Sequence, residues 1–274
     1  MILDIMGKEI KEIRKTKRLL IIGILFVVAT IGVAVYSGHF MEYGPNEMLS
    51  SGPFVIILMF VSLLTLILAY DTVVGERNRG SLSLVLSKPV GRGQIFAGKF
   101  LAIFLFTGVI FLIVISFGYW LDAAISQEFP SASEVAAAYK LFFAVLLVIA
   151  CWVSFAMLFS TLFKSSVVSL ITALILWIMV LPMISQMPVG IYLEQQGFNS
   201  DLPEPGEITF PVWVKVLFAV NPDRCVAELA GRLLDFSPFD SPILTTGQSI
   251  AAMVIFLGVF SIPAFLLFRR LSLE

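Results

Sequence analysis

Apolar and polar residues are segregated along this chain into long blocks. Six blocks contain no Asp, Glu, Lys, Arg or His: Leu19 to Tyr36, Pro53 to Tyr70, Phe100 to Leu121, Leu141 to Phe163, Val167 to Met187, and Ile250 to Phe268. Each approaches or exceeds the roughly 20 apolar residues that a helix needs to cross a hydrocarbon core. Only Lys164, Ser165 and Ser166 separate the fourth block from the fifth, so these two are expected to form a tight helical hairpin. The pattern predicts an all-α polytopic membrane protein with six transmembrane helices, as one domain over residues 1–274.

The polar segments carry their own patterns. In residues 1–18, Ile2, Met6, Ile10 and Ile13 recur at helical spacing with Ile5 beside them, while Lys8, Lys11, Lys15 and Arg18 fall largely elsewhere. This predicts an amphipathic helix lying at the membrane surface, an elbow before the first span. Both the basic stretch and the apolar run after it are longer than those of a typical signal peptide, so an uncleaved first span is expected.

Residues 71–99 link the second and third spans. Leu82, Val85, Leu86 and Val90 can form a short apolar face, preceded by Glu76, Arg77 and Arg79 and ended by Pro89, Gly91 and Gly93. A short amphipathic helix projecting from the membrane in this way is suited to docking on another protein.

Residues 188–249 form the longest connection. An acidic, proline-containing stretch with Glu194, Asp201, Glu204 and Glu207 precedes an apolar run from Pro211 to Val220. Asn221 then offers an N-cap and Pro222 a first helical position, and a helical pattern resumes from Asp223 to Phe236. Two helices too short to span predict a re-entrant or surface-lying hairpin before the last span.

Composition sharpens the class. Of 274 residues, 59% are apolar and 14% charged, so a soluble enzyme, a disordered chain and a collagen-like chain are all excluded. The net charge of −1 gives no indication of nucleic-acid binding. The placement of charge is more telling. With the amino terminus inside, fourteen of the 18 basic residues fall in inner segments, and only Lys140, Lys215, Arg224 and Arg232 fall outside. The positive-inside rule therefore predicts that both termini are cytoplasmic, in a multi-pass protein of the cell (plasma) membrane.

Several motifs resemble catalytic or metal sites without their required partners. Gly93 to Lys99 approximates a phosphate-binding loop, but Phe100 stands where a magnesium-ligating hydroxyl is needed, and Lys99 reads as a basic residue at a span boundary. Tyr70-Asp71 resembles half of an intramembrane aspartyl protease site with no second carboxylate motif, so Asp71 reads as a cap on the second span. His39 is the single histidine, Cys151 and Cys225 form no ligand pattern, and Met179, Met183 and Met187 read as a packing stripe. No catalytic residue and no metal ligand is predicted.

The loop then becomes specific. Gly75-Glu76, Gly80-Ser81-Leu82, Ser87-Lys88-Pro89 and Arg92 resemble the loop between the second and third spans of type-2 ABC transporter permeases. With Ala69-Tyr70-Asp71, the likeness is nearest the subgroup that contains the nitrous-oxide-reductase maturation permease. The resemblance implies a transmembrane exporter subunit whose coupling helix docks on a separate ATPase. It implies Glu76, Arg77, Gly80, Leu82, Leu86, Pro89 and Arg92 as ATPase-coupling residues, and Asn221 and Pro222 as part of an outer gate. It further implies two permease chains as a homodimer with two ATPase subunits. ATP and magnesium would be held on the ATPase and no cofactor on this chain. The acidic outer connection leaves room for an extracytoplasmic accessory protein. Cargo translocation and mechanical work on such a partner both remain open. Two other classes stay in view: an ion-coupled secondary transporter, for which the charge-free spans lack the usual ionisable residues, and a non-transporting scaffold or assembly factor.

Overall fold

The computed structural model of the chain describes residues 2–14, 17–80, 91–195, 209–234 and 243–270. Every regular element among them is helical. An amino-terminal helix, Ile2–Arg14, precedes six long helices: Leu19–Phe40 (span 1), Gly52–Asn78 (span 2), Arg92–Ser126 (span 3), Ala132–Leu162 (span 4), Ser166–Gln195 (span 5) and Thr246–Arg270 (span 6). Each coincides with one of the six charge-free blocks; spans 2, 3, 5 and 6 extend beyond their blocks at both ends, span 1 only past Tyr36, and span 4 starts nine residues early and stops one residue short, at Leu162. The long outer connection correspondingly shortens to about residues 196–245, because span 5 continues through Pro188 to Gln195 and span 6 starts at Thr246.

Local chemistry fixes the helix ends. Pro53 occupies the first turn of span 2, where its missing N–H costs no helical bond. Ser131 and Glu134 cap span 4 reciprocally, with Ser131 N–H donating to Glu134 Oε2 at 2.6 Å and Glu134 N–H to Ser131 Oγ at 3.4 Å. Gln127 closes span 3 in the left-handed region, at φ 61°. Span 1 ends in a π-helical turn, Tyr36–Phe40, and span 5 contains another, Leu176–Val180.

Antiparallel succession places both chain ends at one face, here the terminal face, with the opposite face distal. Span 4 is the central post and packs against spans 2, 3 and 6. Its Trp152 and Phe155 meet Phe256 of span 6 at centroid distances of 5.9 and 6.1 Å, and Phe142 meets Phe111 of span 3 edge-on at 6.2 Å. Spans 1, 5 and 6 form the periphery. Ile24, Val28, Ile255, Val259 and Ile262 point outward, giving a continuous apolar exterior suited to lipid. The methionine stripe lies on this exterior: Met179, Met183 and Met187 are exposed. Packing within the chain therefore does not account for it.

Candidate functional site

At the terminal face, the sequence that links spans 2 and 3 is built on a buried ionic network. Span 2 turns at Asp71 to Val73 and continues as the short helix Val74–Asn78, which carries Glu76. Lys99, two turns into span 3, is completely buried. Its Nζ lies 2.8 Å from Glu9 Oε1 of the amino-terminal helix and 2.9 Å from Glu76 Oε1, and it also donates to the Thr72 carbonyl at 3.3 Å. Lys8 adds a second cation, 3.7 Å from Glu76 and 3.2 Å from Glu12. Burial works against the Lys8 charge, but Glu12, Glu76 and Glu9 outweigh it and hold its pKa above the ordinary lysine value. The carboxylates of Glu9, Glu12 and Glu76 lie within 4.8 Å of one another, close enough to suit a cation. The ammonium groups of Lys99 and Lys8 already meet that need.

Lys99 therefore does not lie at a span boundary facing headgroups. A buried charge of this kind is stable only when paired, and its partners come from two elements remote in sequence. The network locks the amino-terminal helix, the end of span 2 and the start of span 3 together.

A second layer ties the end of span 2 to the hairpin of spans 4 and 5. The Ser160 hydroxyl oxygen accepts the Val73 N–H at 3.0 Å and the Val74 N–H at 3.1 Å. Ser166 Oγ donates to Asp71 Oδ1 at 2.6 Å, so the Asp71 side chain bridges to span 5 and does not simply cap span 2. Arg77 Nη1 donates to the Phe163 carbonyl at 3.3 Å. Gly75 has no room for a side chain here: a Cβ would sit 2.5 Å from Asp71 Oδ1.

The residues expected to face a partner separate into groups. Glu76 is turned inward, 4% exposed, and pairs with Lys99. Arg77 is half-buried against the 4–5 turn. Gly80 is exposed and takes φ +69°, a left-handed end to the short helix that favours glycine. Arg92 begins span 3 and donates to the Arg269 carbonyl of span 6. Leu82, Leu86 and Pro89 lie outside the described residues.

Toward the distal face, the predicted hairpin is present as Val212–Phe218 and Pro222–Leu233. Asn221 caps the second helix through its side-chain oxygen, which accepts the Asp223 N–H at 3.0 Å, and Pro222 follows in the first turn. Asn221 and Pro222 are both buried. The second helix of the hairpin is inserted among spans 2, 4 and 6, while the first packs along span 5 and leaves Val212, Trp213 and Val216 exposed. Asp223 Oδ1 accepts hydrogen bonds from Ser62 Oγ of span 2 and Trp152 Nε1 of span 4, both at 2.9 Å. Ser62 lies seven residues from Ala69, and Trp152 ten from Leu162. At 1.5 Å per residue these are about 10 and 15 Å along the helices. The tip of the hairpin therefore meets spans 2 and 4 well inside their charge-free blocks. Asp223 is the residue that the sequence pattern missed. In the sequence it only opened the helical pattern after Asn221-Pro222.

A bundle of six apolar helices, with an ionic platform at one face and a hairpin packed among the spans toward the other, defines a multi-pass membrane protein. The family comparison makes this specific. The family described as ABC-2 family transporter protein matches residues 3–273, and the chain belongs to it: it is an ABC transporter permease of the type the loop motif resembles. It is 38% identical over 102 residues to the Probable ABC transporter permease protein NosY of Stutzerimonas stutzeri, covering 35% of this chain and 36% of that protein. It is 36% identical over 99 residues to the protein of the same name in Pseudomonas aeruginosa, covering 34% and 35%. The matched stretch thus spans about a third of each of these curated relatives.

Proposed function

We propose that this chain is the permease subunit of an ATP-driven exporter, with the loop between Gly80 and Arg92 as its contact with a separate ATPase. The observation that carries this reading is the Glu9–Lys99–Glu76 network. A loop that must transmit force needs a rigid base, and these three residues join its base to three helices at once. Ser160 and Ser166 extend that base to spans 4 and 5. Motion imposed on the loop would then reach the whole bundle rather than be absorbed locally.

In this reading two permease chains, as a homodimer, assemble with two ATPases that hold ATP and magnesium. The terminal face is cytoplasmic, in keeping with the concentration of basic residues there, and the membrane is the plasma membrane. The inserted hairpin closes the outer side of the path. Its acidic approach, including Glu194, Asp201, Glu204 and Glu207, suits an extracytoplasmic partner. The relatives named NosY support the permease assignment and leave the cargo of this chain undetermined.

The test is co-purification with the nearest-encoded ABC ATPase, in nanodiscs, through a tag on this chain. The ATPase is expected to co-elute and turn over ATP, and Leu82→Asp with Leu86→Asp is expected to release it while the permease stays folded. Failure of the parent chain to retain any ABC ATPase would sink the reading of an ATPase-coupled exporter.

A further inference from the structure

We infer that ionised Asp223 is the clamp that fastens the inserted hairpin to spans 2 and 4, and that protonating its carboxylate releases the hairpin. The inference deepens the outer-gate reading and rests on it.

One oxygen, Asp223 Oδ1, accepts from Ser62 of span 2 and from Trp152 of span 4, each at 2.9 Å. Asp223 is the second residue of its helix, directly after the turn, so the carboxylate holds the hairpin by its tip. Trp177, in the π-helical turn of span 5, interacts with the same carboxylate. Spans 2 and 4 are pinned to each other a second time, lower down, by Ser160 against Val73 and Val74. The pair is therefore a rigid frame joined at two levels, and the upper joint passes through the hairpin. An anion receiving two hydrogen bonds from neutral donors holds them more strongly than a neutral acceptor would. Loss of the charge weakens both bonds at once.

Asp223 keeps part of its surface accessible, which lets a proton reach it. The other charged or titratable groups acting on this carboxylate, among the described residues, are Arg224 and Cys225 on its own helix and Cys151 of span 4. Asp223 acts here as a positioning residue.

Cys225, two residues further along the helix and completely buried, is a built-in reporter. With Cys151→Ser it becomes the only thiol in the chain. The experiment measures the rate of Cys225 alkylation by N-ethylmaleimide, for the permease–ATPase complex in nanodiscs, between pH 5 and pH 8. Asp223→Asn is expected to raise the rate at pH 8 by about tenfold or more, the scale of one charge-assisted hydrogen bond. Because the Asp223 charge also acts on the Cys225 thiol, the ratio of variant to parent rates is read beside Ser62→Ala and Trp152→Phe, which keep that charge. That ratio is expected to fall toward one at low pH, as the parent loses the charge that the variant already lacks. A ratio near one at pH 8 overturns the inference, and so does a raised ratio that stays flat with pH, the signature of a purely structural role. Ser62→Ala and Trp152→Phe each remove one donor and keep the charge. If Asp223→Asn fails to accumulate, they carry the test: a several-fold faster rate supports the clamp and an unchanged rate overturns it. Co-elution of the ATPase is scored on the same samples. Its loss in the parent would count against the transporter reading, while the alkylation rates still report on the clamp.

Discussion

Lys99 and Glu76 face each other across 2.9 Å with almost no solvent at either side chain, one at the start of span 3 and the other at the end of span 2. The loop between them is the segment that most resembles an ATPase-docking element, so its two ends are held by a single ion pair. Glu9 completes the pair into a triad from a third helix. Removing Lys99 leaves the Glu9 carboxylate without its ion-pair partner and Glu76 with only the more distant Lys8, and deleting one partner of a buried pair costs about 3–5 kcal/mol. Lys99→Met is therefore expected to lower the thermal midpoint of the detergent-solubilised protein sharply and to loosen the amino-terminal helix. The triple change Lys99→Met, Glu9→Gln, Glu76→Gln is expected to recover most of that loss, because no charge is then left buried. Thermal unfolding of the three proteins side by side checks this, and equal midpoints for the single and triple variants would contradict it.

Gly75 and Asp71 predict a non-additive pair. A methyl group at position 75 would lie 2.5 to 2.7 Å from the Asp71 carboxyl atoms, and Asp71 is held in place by Ser166. Gly75→Ala is expected to displace Asp71, break its bond to span 5 and destabilise the end of span 2. Once Asp71→Ala has removed the obstacle, adding Gly75→Ala should cost little more. Stability measured around this double-mutant cycle is the check, and additive losses would show that the contact is not the cause.

The spans were legible because a membrane helix needs a long apolar block and the chain holds six. Their ends were less so. Lys99, Asp122 and Lys140 stand at the edges of their blocks, yet all three lie inside helices, Lys99 paired with Glu9 and Glu76. The loop residues were legible as a pattern of Glu, Gly, Leu, Pro and Arg. What supports them was not, because Glu9 lies 90 positions from Lys99 and no periodicity links the two. The hairpin was legible from Asn221-Pro222, whereas its depth was not. That depth is set by Ser62 and Trp152, two ordinary-looking residues inside apolar blocks.

Spans 1 and 3 meet at a point with no room to spare. A Cβ on Gly118 would lie 2.5 Å from Thr30 Cγ2, while the Thr30 hydroxyl donates to the Phe26 carbonyl at 2.9 Å. Close helix approach in a membrane depends on such small residues. Gly118→Ala is expected to cost about 1–3 kcal/mol through overpacking. Thr30→Ser removes the obstructing methyl and keeps the hydroxyl bond, so it should restore stability in the double variant. Thermal midpoints in nanodiscs test the rescue, and a double variant no better than Gly118→Ala would refute the contact.

Ser160 holds two backbone N–H groups that have no helical carbonyl available, those of Val73 and Val74, at 3.0 and 3.1 Å. These residues open the short helix that carries Glu76, so the hydroxyl fixes where that helix starts. Ser160→Ala leaves both donors buried and unsatisfied, at about 1–3 kcal/mol for each such group. Ser160→Cys keeps a weak acceptor of similar shape and is expected to fall between alanine and serine. Hydrogen exchange resolves the effect by position: amides from Val73 to Asn78 should exchange fastest in the alanine variant, slower in the cysteine variant and slowest in the parent. The hairpin amides from Val212 to Leu233 should keep their parental rates in all three, because they are anchored through Ser62 and Trp152. Uniform acceleration along the whole chain would mean that Ser160 stabilises the bundle at large and does not specifically seat the helix beneath the loop.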